Sequence, residues 1–242
     1  MEIRPGIRRI GVGLVNSYLV EESGSITIID AGAPSYWRDL PAELAGFGRS
    51  LDDVKAVVLT HGHSDHIGFA ERIRRERHVP IKVHEADAGL ARGEVPNPAK
   101  GTGPLRPLPL LSFIAFSVRH GMLRIPRIKE VGTFGDGATL DLPGSPRVIL
   151  LPGHTPGSAA LHVPTMDALF VGDALATRSV TTGAVGPQLA PFSAKRAEAL
   201  DSLARLDDLE AGFVLPGHGQ AWTAGLGEAL RLIRASAGKP AS

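Results

Sequence analysis

Hydrophobic runs that stop abruptly at a glycine and a metal-seeking side chain recur along this chain, and that repetition constrains its fold more than any other feature. The densest instance is Thr60-His61-Gly62-His63-Ser64-Asp65-His66-Ile67-Gly68. It is entered from the apolar, β-branched residues 55–59 and left through the charged, helix-permissive residues 69–78, so its ligand-type residues fall on a strand-to-helix turn. Turns at strand ends commonly carry chemistry. Side chains alternate along an extended segment, so His61 and His63 point the same way and can grip one ion. Asp65 and His66 lie on the next turn, where they can serve a neighbouring ion. Three later runs end alike: Leu150-Leu151-Pro152-Gly153-His154, Leu169-Phe170-Val171-Gly172-Asp173 and Phe213-Val214-Leu215-Pro216-Gly217-His218. Brought to one sheet edge, the four strand ends offer five imidazoles and two carboxylates. A lone His is usually packed or solvated, and Asp after Gly is usually a turn former, but the ordered set is not explained that way.

His-x-His-x-Asp-His followed by distant Gly-His, Gly-Asp and Gly-His resembles the pattern of the metallo-β-lactamase superfamily of hydrolases, over nearly the whole chain. The Ile29-Asp30-Ala31-Gly32 turn resembles that family's first motif, in which the Asp is structural or supports a ligand. The resemblance implies His61, His63 and His154 on one metal, Asp65, His66 and His218 on the other, and Asp173 bridging the two. It also implies the family's four-layer αββα sandwich, an α/β (α+β) fold. Two divalent cations are expected, zinc first, although His and carboxylate ligands also suit iron, manganese and cobalt. Such a site carries net positive charge and favours developing oxyanions. The implied chemistry is hydrolysis by a metal-bridging hydroxide, with Asp65 or Asp173 carrying a proton toward the leaving group.

The remaining histidines read differently. His84 ends the strand Ile81-Lys82-Val83 and is expected to support the site from behind, as Asp30 does. His162 lies inside a strand and reads as structural, His78 closes a helix among basic residues, and His120 would be an exposed residue if the inserted segment caps the cleft.

A chain of 242 residues, 43% hydrophobic, suits one catalytic domain spanning 1–242. No run reaches the roughly 18 apolar residues of a spanning helix, and the N-terminus lacks an export core, so the expectation is a cytoplasmic protein. Cysteine is absent, which excludes disulfides and thiolate ligands. A formal net charge of +1 argues against a nucleic-acid partner. Strands are expected at 7–14, 17–20, 26–29, 57–59 and 81–83, then at 138–142, 147–151, 159–163, 169–171 and 213–215. Helices are expected at 36–45, 69–78 and 194–206, the last with Ser193 as N-cap. Leu226, Leu230 and Ile233 mark a final amphipathic helix.

One segment, about 90–130, departs from this regular alternation. It is rich in Pro and Gly and carries the apolar run 108–118 between Arg106 and Arg119. Between Ala91 and Lys129 seven basic residues face Glu94 alone, a formal +6 in a chain whose remainder is −5. It is a packed insertion with soluble basic flanks, a cap whose Phe113 and Phe116 receive an apolar substrate tail, an interfacial segment, or a homodimer contact.

The substrate expected is a hydrophobic small-molecule ester, lactone or thioester. A bridging Asp173 is unlike the β-lactamases proper. The glyoxalase II branch resembles this chain in its ligands but carries an appended helical domain, whereas only 24 residues follow His218 here. The quorum-quenching lactonases are similar too, yet usually place a Tyr near the oxyanion, and here Tyr18 and Tyr36 lie far before the metal motif. A glyoxalase II-like thioesterase and a phosphodiesterase are alternatives within the fold. A mononuclear-iron oxidoreductase resembling the persulfide dioxygenases, and a metal-binding module without turnover, are alternatives of other classes.

Overall fold

The computed structural model describes residues 1–99 and 104–237. Lys100, counted in the basic segment, lies outside them. Seven strands, β1 (Glu2–Arg4), β2 (Ile7–Ile10), β3 (Ser17–Glu22), β4 (Ser25–Ile29), β5 (Val54–Val58), β6 (Ile81–His84) and β7 (Gly132–Phe134), lie side by side in chain order. Pairing is antiparallel as far as β4 and parallel from β4 to β7. A second sheet is built from β8 (Arg147–Leu150), β9 (Ala159–Val163), β10 (Ala168–Gly172) and, beyond the short ribbon of β11 (Ala176–Arg178) and β12 (Val185–Gln188), β13 (Phe213–Pro216). Its order is β13-β10-β9-β8, with β10 and β13 parallel and the other pairs antiparallel.

Alternation along the strands decides what each face buries. In the first sheet Tyr18, Val20, Ile29 and Val58 turn toward the second, where they meet Val148, Leu161, Phe170 and Leu215. The intervening Leu19, Ile28 and Val57 turn the other way, onto α1 (Leu40–Ala45) and α2 (Ala70–Arg77). Val171, Val214 and Leu169 cover the outer face of the second sheet, against α5 (Arg196–Ser202) and α6 (Leu226–Ala237). The result is the expected αββα sandwich with two mixed sheets. The short α3 (Ala88–Ala91) and the insertion helix α4 (Pro107–Arg119) sit at the sheet edge where the ligand-bearing turns emerge.

Several sequence expectations need correction. The first long strand stops at Ile10, because Gly11 and Gly13 take positive φ (106° and 86°) and turn the chain into a loop. The expected helix over 36–45 divides into a 3₁₀ turn, Pro34–Arg38, and α1, with Pro41 accommodated in the first turn of the second piece. Residues 138–142 contribute one isolated bridge, Thr139 to Arg147, instead of a strand. Helix α5 starts at Arg196 with Lys195 at its N-cap, and Ser193 is engaged elsewhere. Strands β1, β7, β11 and β12 had no periodic signal, being only three or four residues long.

Phe170 joins the two sheets, fully buried and packed edge to face on Tyr18 at 5.4 Å. Phe170→Ala should lower stability by about 3–5 kcal/mol in urea unfolding. A change below about 1 kcal/mol would mean that the sheets are held together elsewhere.

Candidate metal centre

The four strand ends meet at one edge of the sandwich. Strand β5 runs through Leu59 and Thr60 into His61, and a 3₁₀ turn over Ser64–His66 folds the motif back on itself. His154 follows β8, Asp173 follows β10 and His218 follows β13. Glycine permits this crowding: a Cβ on Gly217 would lie 2.5 Å from Asp173 Oδ1 and from His66 Cε1, and one on Gly172, which has φ +49°, would lie 2.3 Å from Thr60 Oγ1. A larger residue before His218 or Asp173 would thus displace the cluster it introduces.

All seven sequence candidates come together. One ligand-type atom from each of His61, His63 and His154 lies within 4.8 Å of the others, and the same holds for Asp65, His66 and His218. Asp173 touches both groups: its Oδ2 is 3.4 Å from His154 Nε2 and 3.2 Å from His218 Nε2, and its Oδ1 is 3.5 Å from His66 Nε2. His61, His66 and Asp173 form a third triplet of the same compactness.

The outward nitrogens are held. His66 Nδ1 donates to Asp30 Oδ2 at 2.8 Å, and Asp30 also accepts from the backbone N–H and hydroxyl of Thr60. His218 Nδ1 donates to the Leu14 carbonyl, in the loop that the two glycines open after β2. His154 Nδ1 lies 3.2 Å from Ser193 Oγ, whose proton goes to the Ala190 carbonyl, so the imidazole donates there and keeps Nε2 bare. With the outer nitrogens of these three occupied, their Nε2 atoms face inward. His61 Nε2, His63 Nε2, His66 Nε2 and Asp173 Oδ1 are buried without a hydrogen-bond partner, while His63 Nδ1 lies 2.9 Å from the bare His154 Nε2, to which it can donate. Buried polar atoms left this way are costly unless something else satisfies them. A cation would satisfy them together.

Burial keeps the His61 imidazole well below its ordinary range, helped by the neighbouring His66, and pushes His154 down to about 3. Both are neutral and ready to donate a lone pair. Burial works against charge on His66 and His218 as well, but Asp30, Asp173 and Asp65 outweigh it, holding His66 well above the usual range and His218 at about 10. Burial would raise Asp65 and Asp173, and the same two imidazoles keep both below the usual carboxylate range. A cation on the Asp65, His66 and His218 side must therefore displace protons, which strengthens its binding as pH rises.

Asp87 is a supporting residue that the sequence does not announce. Fully buried, it accepts from the Gly62 N–H at 2.8 Å, the Thr155 hydroxyl at 2.7 Å and the Gly157 N–H at 2.7 Å, tying the turn of His61 and His63 to that of His154. Its signal in the sequence is slight, an Asp opening the short α3. His84 reaches no metal-type ligand among the described contacts; its Nδ1 accepts from Ala86 N and so shapes the turn that presents Asp87. His162 hydrogen-bonds the Glu210 carbonyl, and His78 ends α2 in the left-handed region.

The cleft over the cluster has a volume of about 270 Å³ and is walled by Phe113, Ser117, Met122 and Phe192. Phe113 stands edge-on to His218, ring centroids 6.3 Å apart. Phe116 does not share this wall: it is buried in the helix-side core and stacks on His120 at 4.1 Å. His120 is likewise half-buried, with its Nδ1 2.6 Å from Ser35 Oγ, and is not the exposed residue expected. A second lobe of about 400 Å³ opens beside the first, shares His63 and Ser64 with it, and reaches Arg127. Neither tyrosine faces the cleft: Tyr18 donates to the Pro216 carbonyl and Tyr36 to the Val15 carbonyl.

Residues 10–218 match the metallo-beta-lactamase superfamily. YflN of Bacillus subtilis, a probable metallo-hydrolase, is 29% identical over 235 residues, 90% of this chain and 85% of its own. The metallo-beta-lactamase family protein TTHA1429 of Thermus thermophilus superposes with a TM-score of 0.71 at 24% identity, covering 98% of this chain and 80% of its own. TTHA1623, solved in a di-iron-bound form, gives 0.61 at 27% identity, with 90% and 93% covered.

Removing Asp87 would orphan three buried donors and free two ligand-bearing turns. Asp87→Ala should cost about 3 kcal/mol or more in metal-free urea unfolding. It should also loosen metal uptake on the His61, His63 and His154 side. Unchanged stability and unchanged metal affinity would show that the turns hold themselves.

Proposed function

Because the chain belongs to the metallo-beta-lactamase superfamily, we propose that it is a metal-dependent hydrolase with two metal ions, cleaving an ester, lactone or thioester that bears an apolar tail. His61, His63 and His154 would hold one ion, Asp65, His66 and His218 the other, and Asp173 would bridge them. The observation that carries this reading is the position of Asp173, whose Oδ2 lies 3.4 Å from His154 Nε2 and 3.2 Å from His218 Nε2 while its Oδ1 lies 3.5 Å from His66 Nε2. One carboxylate can serve two cations through its two oxygens, as one imidazole nitrogen cannot.

Two divalent cations, when bound, supply a Lewis acid for an acyl oxygen and a water of lowered pKa. The chain's own groups do the rest. Asp30, Leu14 and Ser193 hold the outer nitrogens of His66, His218 and His154 and so aim their Nε2 atoms inward. Asp65, more exposed than Asp173 (17% against 5%), has an oxygen within reach of the cleft and would carry a proton to the leaving group. Phe113, Met122 and Phe192 form an apolar wall for the tail, and Phe192 is held there at φ +63°. A donor set of imidazole and carboxylate suits zinc and iron alike. Zinc is the ion proposed, and the di-iron form of TTHA1623 makes iron the one to measure beside it. The absence of a cleft tyrosine favours simple esters and thioesters over lactones.

Metal-replete and chelated protein should be compared on esters, lactones, thioesters and phosphodiesters of graded acyl length. Activity should vanish with the metal, and kcat/KM should rise about fourfold per methylene for the first few, from about 0.8 kcal/mol of burial each. Phe113→Ser should flatten that rise, and Asp65→Asn should lower kcat by about a hundredfold or more while thermal stability changes little. Activity without metal would overturn the reading, as would a preference for phosphodiesters, oxygen consumption on a persulfide, or indifference to acyl length.

A further inference from the structure

The insertion helix α4 carries apolar residues on both sides. Its inner side brings Phe113 to the cluster and Phe116 into the core. Its outer side leaves Leu108 79% exposed, Leu111 60%, Ile114 48% and Val118 56%, with Ala115 also exposed among them. Positions 108, 111, 115 and 118 follow helical spacing and line one face. Leu123, 74% exposed, extends the patch beyond the helix end. Globular proteins rarely leave so continuous an aliphatic surface without a use for it.

Within the segment the exposed charges that flank the patch are basic. Arg106 caps the helix N-terminus, Arg119 is its last residue, on the outward face with Leu108, and Arg124 follows; all three are exposed, and none is in an ion pair among the described residues. Glu94, the one acid between 91 and 129, is committed to Arg92 at 2.6 Å. Twofold pairing of two copies along this helix would bring Arg106 of one against Arg119 of the other. Nucleic acid would meet the arginines but gain nothing from an aliphatic stripe that has no exposed aromatic ring. A bilayer with anionic headgroups meets both features, since aliphatic side chains enter the acyl boundary while arginines lie among the phosphates.

We propose that the outer face of α4, with Arg106, Arg119 and Arg124, is a docking surface for an anionic lipid surface, seating the protein with its cleft on the far side of a single helix from the membrane. The proposal does not depend on the hydrolase reading, because docking needs neither metal nor turnover.

The test is co-sedimentation of the full, metal-replete chain with vesicles of phosphatidylcholine alone and of phosphatidylcholine containing phosphatidylglycerol. Anionic vesicles should bind about tenfold or more tightly than neutral ones, and salt should weaken the difference. Leu111→Glu with Val118→Glu, both at exposed sites, should abolish binding while metal content and thermal stability stay those of the wild type. Arg119→Ser with Arg124→Ser, which leaves the aliphatic face intact, should weaken anionic binding alone. No binding to anionic vesicles, or equal binding to both kinds, would overturn the proposal. So would a dimer in solution that Leu111→Glu with Val118→Glu turns into a monomer, because a second copy would then be what covers the face.

Discussion

A single carboxylate standing between two sets of imidazoles organises this molecule. Asp173 lies within 3.5 Å of His66, His154 and His218, which arrive from three other strand ends. Bringing those ends so close requires Gly172 and Gly217 immediately before Asp173 and His218, where a Cβ would collide with Thr60 in the first case and with Asp173 and His66 in the second. It also requires that the two sheets end at the same edge, and the shared core around Phe170 and Tyr18 keeps them in step.

The cluster is expensive to assemble, since it buries polar atoms that the protein itself leaves unpaired. The surrounding structure offsets that cost by fixing orientation from behind. Asp30, the Leu14 carbonyl and Ser193 each hold an imidazole by its outer nitrogen, and Asp87 holds two of the turns by their backbone. Supporting groups of this kind fix which nitrogen faces inward and how basic it is. The two sides differ in charge, because burial prevails on one and is outweighed by carboxylates on the other. His61 and His154 are neutral, whereas His66 and His218 hold protons against neighbouring carboxylates. Cation binding would thus be coupled to proton release mainly on the Asp65 side.

Much of this was legible in the chain. The His61 to His66 motif and the three later strand ends announce themselves because ligand identity and apolar strand runs coincide there, and the αββα layering is implied by the resemblance that those motifs carry. What stayed hidden was carried by groups without a chemical signature. The Leu14 carbonyl is a backbone atom, Ser193 resembles a helix cap, and Asp87 is one acid among many until Gly62, Thr155 and Gly157 are seen around it. Phe113 and Phe116, three residues apart, could not be separated by composition, yet the helix turns one to the cleft and the other to the core. The short strands β1, β7, β11 and β12 form because neighbouring strands offer them an edge, which no local pattern records.

Seven side chains gathered into one centre would hold two cations, with Asp173 shared between them. Counting metal ions per chain after dialysis against zinc or ferrous iron, for the wild type beside Asp173→Ala, tests it most directly. Two ions in the wild type, falling to one or fewer in a variant that stays folded, is the result expected. One ion in both, or two ions undiminished in Asp173→Ala, would contradict it.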